Sequence, residues 1–156
     1  MASLNHDKIE RTLTVPSLPD EEMLDAFLRE GERLAVKDRE VASDLAMAFY
    51  FMEDYGRALE ILTWAPMSVA NEWFKAELLY GARRFIEAME HLNQLEVKYS
   101  QDPETTFAVS YLRARCLKES GQATIALEIL QGIVRVRPNY RSVNALLQEW
   151  TEGATW

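Results

Sequence analysis

The chain has 156 residues, of which 48% are hydrophobic and 27% are charged. This apolar content is too high for an intrinsically disordered protein, and the length suits one domain with its own hydrophobic core. With 17 Lys and Arg against 25 Asp and Glu, the formal net charge of -8 opposes attraction to nucleic acid or anionic lipid, so neither is expected as a partner.

Two further features of the sequence concern the cellular compartment. The single cysteine, Cys116, cannot form an internal disulfide, and the residues from Met1 onward lack the order of charged, apolar and small residues of a signal peptide. The longest apolar run, 45–52, is far shorter than the roughly 20 residues that span a bilayer. We therefore expect a cytoplasmic protein without a membrane partner.

Residues 1–18 mix charges with Thr, Ser and proline and show no sustained period, which predicts a flexible N-terminal arm. A single helical domain is expected over 19–150, and it opens with a helix over 19–37. Asp20, Glu21 and Glu22 place negative charge in the first turn of this helix, where the helix dipole favours it. The apolar residues that follow at helical spacing are Leu24, Phe27, Leu28, Leu34 and Ala35.

Three later segments share a spacing of small residues. Each segment places one alanine twelve residues before another, and the pairs are Ala46 and Ala58, Ala76 and Ala88, and Ala114 and Ala126. A larger side chain at such positions would hold two paired helices apart. The second alanines of successive pairs are 30 and then 38 residues apart, with a mean of 34.

This order of small, aromatic and terminal proline positions resembles the tetratricopeptide repeat family, whose period is about 34 residues. The third segment resembles it best, with Gly121 at the turn between paired helices and Pro138 at the exit into the next helix. The resemblance implies an all-α fold, a helical hairpin solenoid with an N-terminal helix and a C-terminal capping helix. The repeats would lie at about 39–66, 68–99 and 103–138.

The unequal spacing of the repeats has visible causes in the sequence. Pro66 stops the first repeat early, because proline cannot continue a helix without losing a hydrogen bond. Asp102 and Pro103 read as a helix cap and a first-turn proline after a lengthened connection. A capping helix is expected over 139–150, followed by a flexible tail, 151–156.

The resemblance also implies where a ligand binds, because the first helix of each hairpin in this family lines a concave, peptide-binding groove. For an individual aromatic residue, packing in the core is the alternative. A cationic end formed by Arg113, Arg115 and Lys118 would suit a carboxylate. The predicted groove residues are Met47, Tyr50, Phe51, Trp73, Glu77, Tyr80, Tyr111, Arg115 and Lys118.

Trp156 in the predicted tail is itself a candidate ligand for this groove. The sequence therefore raises the hypothesis of self-association. If Trp156 of one copy enters the groove of the next, the contact is heterologous and builds a ring or an open chain. The alternatives are that Trp156 folds back on its own domain or has no role at the terminus.

No residue pattern predicts a catalytic site, a cofactor or a metal. Glu87, Glu90 and His91 are interpreted as a solvated helix face, and Cys116 as a buried, inert thiol. The favoured function is a scaffold or adaptor that binds peptide segments, and an enzyme is the least favoured class. The alternative is a cytoplasmic chaperone of secreted proteins, because the chain resembles the small acidic type III secretion chaperones with three such repeats.

Overall fold

The computed structural model describes residues 20–153, and within that range the chain forms eight α-helices and no β-strand. The all-α class is therefore confirmed for this part of the chain, and the predicted arm lies outside it. The helices are α1 (Glu21–Ala35), α2 (Glu40–Phe51), α3 (Tyr55–Leu62), α4 (Val69–Gly81), α5 (Phe85–Lys98), α6 (Pro103–Glu119), α7 (Ala123–Val136) and α8 (Val143–Glu152).

The helices pack mainly on their neighbours in the chain. Helices α2 and α3, α4 and α5, and α6 and α7 form three hairpins, each closed by a turn of three residues. Successive hairpins meet where α3 packs on α4 and where α5 packs on α6. Helix α1 covers the first hairpin through α2 and α3, and α8 packs on α7 at the other end.

The six repeated alanines lie where the two helices of each hairpin are packed. All six have no exposed surface. Because the side chains at a contact set how closely two helices approach, methyl groups here allow a short distance between the axes. The twelve-residue spacing of the sequence therefore marks the packed face of each hairpin.

The turns inside the three hairpins share one backbone geometry. Each places one residue in the left-handed region, with φ of 59° at Glu53, 60° at Arg83 and 83° at Gly121. In every case the next amide donates to the carbonyl five residues earlier, as in a Schellman motif. These residues are 30 and 38 residues apart, like the alanines, so the three turns are equivalent although only the third contains glycine.

The left-handed turns predict opposite effects of two substitutions. A residue with a side chain costs about 1–2 kcal/mol in the left-handed region compared with glycine. Part of this cost is offset, because glycine has more conformational entropy to lose from the unfolded chain. We expect Gly121→Ala to lower the free energy of unfolding by about 1 kcal/mol and Glu53→Gly to raise it by about 0.5 kcal/mol. Urea denaturation followed by circular dichroism measures both changes.

Gly132 in α7 provides the control, because a Cβ there would meet no atom within 4 Å beyond the adjoining backbone of α7 itself. The interior of a helix favours alanine over glycine, so Gly132→Ala should raise the free energy of unfolding by about 0.5–1 kcal/mol. A stabilising Gly121→Ala would contradict the equivalence of the three turns.

The irregular repeat spacing arises from helix lengths. Helix α3 has 8 residues, whereas α5 and α7 have 14 each, and the connection that replaces its missing turns contains Pro66. Helix α6 has 17 residues and begins at Pro103, and the Asp102 side chain caps it by accepting from the Glu104 amide. The cap and the first-turn proline agree with the sequence prediction.

Four predicted boundaries differ from the structure, namely both ends of the opening helix and both ends of the final helix. The opening helix spans Glu21–Ala35 rather than 19–37, because the Lys37 and Asp38 amides close a turn on the Leu34 carbonyl. The final helix begins at Val143 rather than at 139, because 139–142 form a turn. It continues to Glu152, so the first two residues of the predicted tail are helical.

Arg57 in α3 fastens α1 to the first hairpin. Its guanidinium donates to Asp25 at 2.9 Å and to Glu21 at 2.5 Å, both on α1, and to Asp54 at 2.5 Å. These three carboxylates raise the pKa of Arg57. The N-terminal helix is therefore held by charge as well as by apolar packing.

None of the helices between residues 20 and 153 combines the length and the apolar character that crossing a bilayer requires.

Candidate functional site

All nine predicted groove residues lie on α2, α4 and α6, the first helices of the three hairpins. We call the outward side of these three helices the first-helix surface. The structure divides the nine residues into a group on α2 and a group that joins α4 to α6. Trp73 and Lys118 belong to neither group.

The group on α2 exposes two large apolar side chains. Phe51 is 77% exposed and Met47 is 42% exposed, and the four-residue spacing places them on one face of the helix. Tyr50 is half-buried, and its ring meets the Phe74 ring at 5.7 Å and the Tyr55 ring at 6.0 Å, both edge-on. Tyr50 therefore packs between the first two hairpins, while Met47 and Phe51 remain accessible.

Two aromatic residues of α4 are only partly available to a ligand. Trp73 and Tyr80 are half-buried and pack against a core cluster that includes Leu92 and Val109. Burial raises the pKa of the Tyr80 phenol above its ordinary value, so this hydroxyl is neutral at physiological pH. Much of the Trp73 side chain is thus in contact with the core and closed to a ligand.

Tyr111 differs from the sequence prediction, because it is only 8% exposed and belongs to the core. The turn before α8 covers it: the Tyr140 ring approaches at 6.2 Å, and the Arg141 guanidinium lies 5.3 Å from the ring centre. The sequence interpretation placed Tyr111 outside the small-residue face, but Tyr111 and Ala114 are three residues apart and share one side of α6. Helical periodicity also does not show that another segment packs over Tyr111.

Arg115 connects the second and third hairpins. Its guanidinium lies 4.3 Å from the centre of the Tyr80 ring and 5.8 Å from that of Tyr111. One guanidinium nitrogen is 3.7 Å from a carboxylate oxygen of Glu77. Four of the predicted groove residues are therefore brought together by cation–π contacts and an ion pair.

The same pattern continues beyond Tyr111 through residues that the sequence reasoning missed. Arg141 lies 5.3 Å from the ring centre of Tyr140, which in turn lies 5.6 Å from that of Phe107. Arg137 lies 4.4 Å from the Phe107 ring and pairs with Glu104. We call the whole set the aromatic–arginine row, which consists of Tyr80, Arg115, Tyr111, Arg141, Tyr140, Phe107 and Arg137.

A weak sequence signal for the missed residues exists. Phe107 precedes Tyr111 by four residues and therefore shares its face of α6. Arg137 and Arg141 flank Tyr140 closely in the chain. Nothing in the spacing, however, indicates that the two segments meet.

The predicted cationic end is dispersed in the structure. Arg113 turns to α5, where it donates to Glu96 at 2.9 Å and to Asn93 at 2.8 Å. Lys118 lies 6.0 Å from the centre of the buried Trp150 ring on α8. Arg115 alone of the three is part of the aromatic–arginine row.

A polar cleft lies between α3 and α5, with α4 as its floor. Two adjoining cavities of about 500 and about 310 Å³ share Lys75 and His91 among their lining residues. The His91 Nε2 lies 2.7 Å from the Glu72 carbonyl oxygen and donates a hydrogen bond to it, and Glu87 pairs with Arg84. Within 20–153 no group of three or more acidic, His or Cys residues is arranged to hold a metal ion.

Cys116 is fully buried in α6 and packs with Leu79 and Ala88. Burial raises the pKa of its thiol to about 11. The thiolate is the reactive form, so a buried thiol of this kind is expected to react slowly.

The raised thiol pKa predicts slow alkylation of the native protein. Relative to an ordinary thiol, a pKa about two units higher leaves roughly 100-fold less thiolate at pH 8, and burial further restricts access. We expect iodoacetamide to label Cys116 at least about 100-fold more slowly in buffer, where the protein is folded, than in urea. Mass spectrometry over time measures both rates, and rapid labelling of the folded protein would refute the assignment.

Comparisons of the chain with protein-family models, with curated proteins and with solved structures found no match. The first-helix surface is therefore the basis for assigning a function. It includes the exposed apolar side chains of α2, and the aromatic–arginine row joins its α4 and α6 parts to the turn before α8.

Proposed function

We propose that the chain is a tetratricopeptide-like helical hairpin solenoid that acts as a protein–protein interaction module. In this role it is a scaffold or adaptor that binds peptide segments along the first-helix surface, without catalysis or a cofactor. Three successive hairpins with equivalent alanines and equivalent turns support the architecture. Solenoids of this kind present one helix of each repeat to their ligands.

The exposure of Phe51 is the observation that carries the binding proposal. A fully buried Phe side chain contributes about 1.5–3 kcal/mol through removal of its surface from water, and in this chain that surface is left in solvent. Met47 extends the exposed area by one helical turn. Apolar surface of this kind is typical of interaction sites, where aromatic residues act as anchors.

The aromatic–arginine row supplies the polar part of the same surface. Ring faces offer apolar contact to a ligand, whereas guanidinium groups offer hydrogen bonds in a fixed orientation. A peptide that crosses from α2 to α6 would therefore meet apolar contacts first and cationic ones later. This arrangement replaces the cationic end predicted from Arg113, Arg115 and Lys118.

Substitution of Phe51 tests the proposed function. Ligands are first selected from a displayed library of random dodecapeptides, and affinities of purified peptides are then measured by fluorescence anisotropy. Phe51→Ala should weaken binding by about tenfold or more, because it removes a central apolar anchor. Circular dichroism verifies that the variant remains folded.

Ile86→Ala is the matched control, because Ile86 is 80% exposed but lies on α5, the second helix of its hairpin. We expect its affinities to stay within about twofold of the wild type, since scattered surface side chains contribute little to an interface elsewhere. Failure to select any peptide would refute the proposed function. Equal losses of peptide affinity in Phe51→Ala and Ile86→Ala would show that the peptides bind elsewhere.

Self-association through Trp156 remains a prediction, because Trp156 lies outside the described residues. Sedimentation velocity over a range of concentrations, comparing the intact chain with Trp156→Ala, tests it. If the tail enters the first-helix surface of another copy, the intact chain assembles with concentration and the variant does not. A monomer in both cases would refute self-association.

A chaperone of secreted proteins would use the same surface for a different ligand. The net charge of -8 and the three hairpins within 20–153 favour this second candidate. A chaperone should bind one extended segment of its client and keep that client soluble, whereas an adaptor should bind short peptides without this effect. Aggregation of a candidate secreted client, with and without the protein, separates the two functions.

A further inference from the structure

The three arginines of the aromatic–arginine row differ in their charge partners. Arg115 lies 3.7 Å from a Glu77 carboxylate oxygen, and Arg137 pairs with Glu104. Arg141 forms no ion pair with any residue of the described part of the chain, 20–153. One guanidinium of the row is therefore held in place without a counter-charge from residues 20–153.

The position of Arg141 is nevertheless well defined. Its guanidinium lies 5.3 Å from the ring centres of both Tyr111 and Tyr140, and Tyr111 itself is part of the core. Its backbone has φ of 43°, a conformation that is unfavourable for a residue with a side chain. Such strain persists only where surrounding contacts over-determine it, and it is frequent at ligand sites.

A guanidinium beside aromatic rings keeps its hydrogen-bonding capacity. The ring contacts use the π-electron face of the tyrosines, while the five N–H donors of the guanidinium project in its own plane. Arg141 is exposed, so this edge is open to solvent. Two parallel N–H groups match the two oxygens of a carboxylate.

The local charge favours an anionic ligand although the whole chain is acidic. The two ion pairs of the row are neutral overall, and Arg141 adds a positive charge to them. Lys118, one turn from Arg115 on α6, likewise has no ion-pair partner among residues 20–153. This end of the first-helix surface is therefore positive in a protein whose net charge is -8.

We propose that Arg141 binds the carboxylate of an Asp or Glu side chain in a peptide that lies on the first-helix surface. The partner is then an acidic segment that also carries an apolar side chain for the Met47 and Phe51 end. This inference rests on the proposed function and adds the ligand class to it. A carboxylate fits better than a phosphate, because doubly charged groups are usually bound by clusters of arginines.

Peptide selection on three proteins tests this inference. A library of random dodecapeptides is selected against the wild type, Arg141→Gln and Arg135→Gln. Arg135 is exposed on α7 and makes no ring contact or ion pair with the described residues, so its variant loses the same charge away from the row. We expect one acidic position to be enriched by the wild type and Arg135→Gln, and to be lost with Arg141→Gln.

Affinity measurements then identify the contact itself. The best wild-type peptide is compared with its Asp→Asn or Glu→Gln version on all three proteins. Arg141→Gln should weaken binding of the acidic peptide by about tenfold and that of the neutral peptide by less than about twofold. Arg141→Lys should give an intermediate loss, because lysine keeps the charge but not the planar fork.

The outcomes separate the two proposals. Selected peptides that depend on Phe51 but carry no acidic position would overturn the role of Arg141 and leave the proposed function intact. Equal losses for acidic and neutral peptides with Arg141→Gln would also overturn it. If no peptide is selected at all, both proposals fail.

Discussion

The burial of small alanine side chains between the two helices of each hairpin is the constraint on which the rest of the structure depends. In each hairpin a methyl group on either helix allows the backbones to approach, and no solvent reaches any of the six positions. A larger side chain would move the second helix outward. Because α3 also packs on α4, and α5 on α6, such a shift would be passed on to the next hairpin.

This packing also explains why some side chains of the first helices remain exposed to solvent. In α2, Ala42, Ala46 and Phe49 are fully buried, whereas Met47 is 42% exposed and Phe51 is 77% exposed although its ring meets that of Tyr50. The chain therefore stabilises its core with one side of the helix and leaves the other side for contacts.

The two ends of the series of hairpins differ from this arrangement. At the N-terminal end Arg57 ties α1 to the first hairpin through three carboxylates, and the short α3 opens a polar cleft against α5. At the C-terminal end the turn before α8 folds over α6 and buries Tyr111. That turn also brings Arg141 to the row and adds its positive charge there.

The sequence alone was sufficient for the features that depend on local spacing. Helical periodicity, the alanine pairs, Pro66 and the Asp102 cap predicted the helices, the hairpins and the irregular repeat lengths, because each depends on residues within one or two turns or on neighbouring helices. Boundaries were less accurate where a turn tightened a helix end. Met47, Tyr50 and Phe51 were all predicted as outward residues of α2, with Phe51 near the boundary of the inner face; Met47 and Phe51 are exposed, whereas Tyr50 is half-buried.

The tertiary structure alone decided which side chains of the surface meet. The contact of Tyr80 with Arg115 and that of Tyr111 with Arg141 join residues 35 and 30 positions apart, on segments whose relative placement depends on the whole hairpin stack. Periodicity shows which face of a helix is apolar, but it carries no information about what covers that face. For this reason the sequence could only predict a binding surface, whereas the burial of Tyr111, and the lack of an ion pair between Arg141 and the described residues, became visible only in the fold.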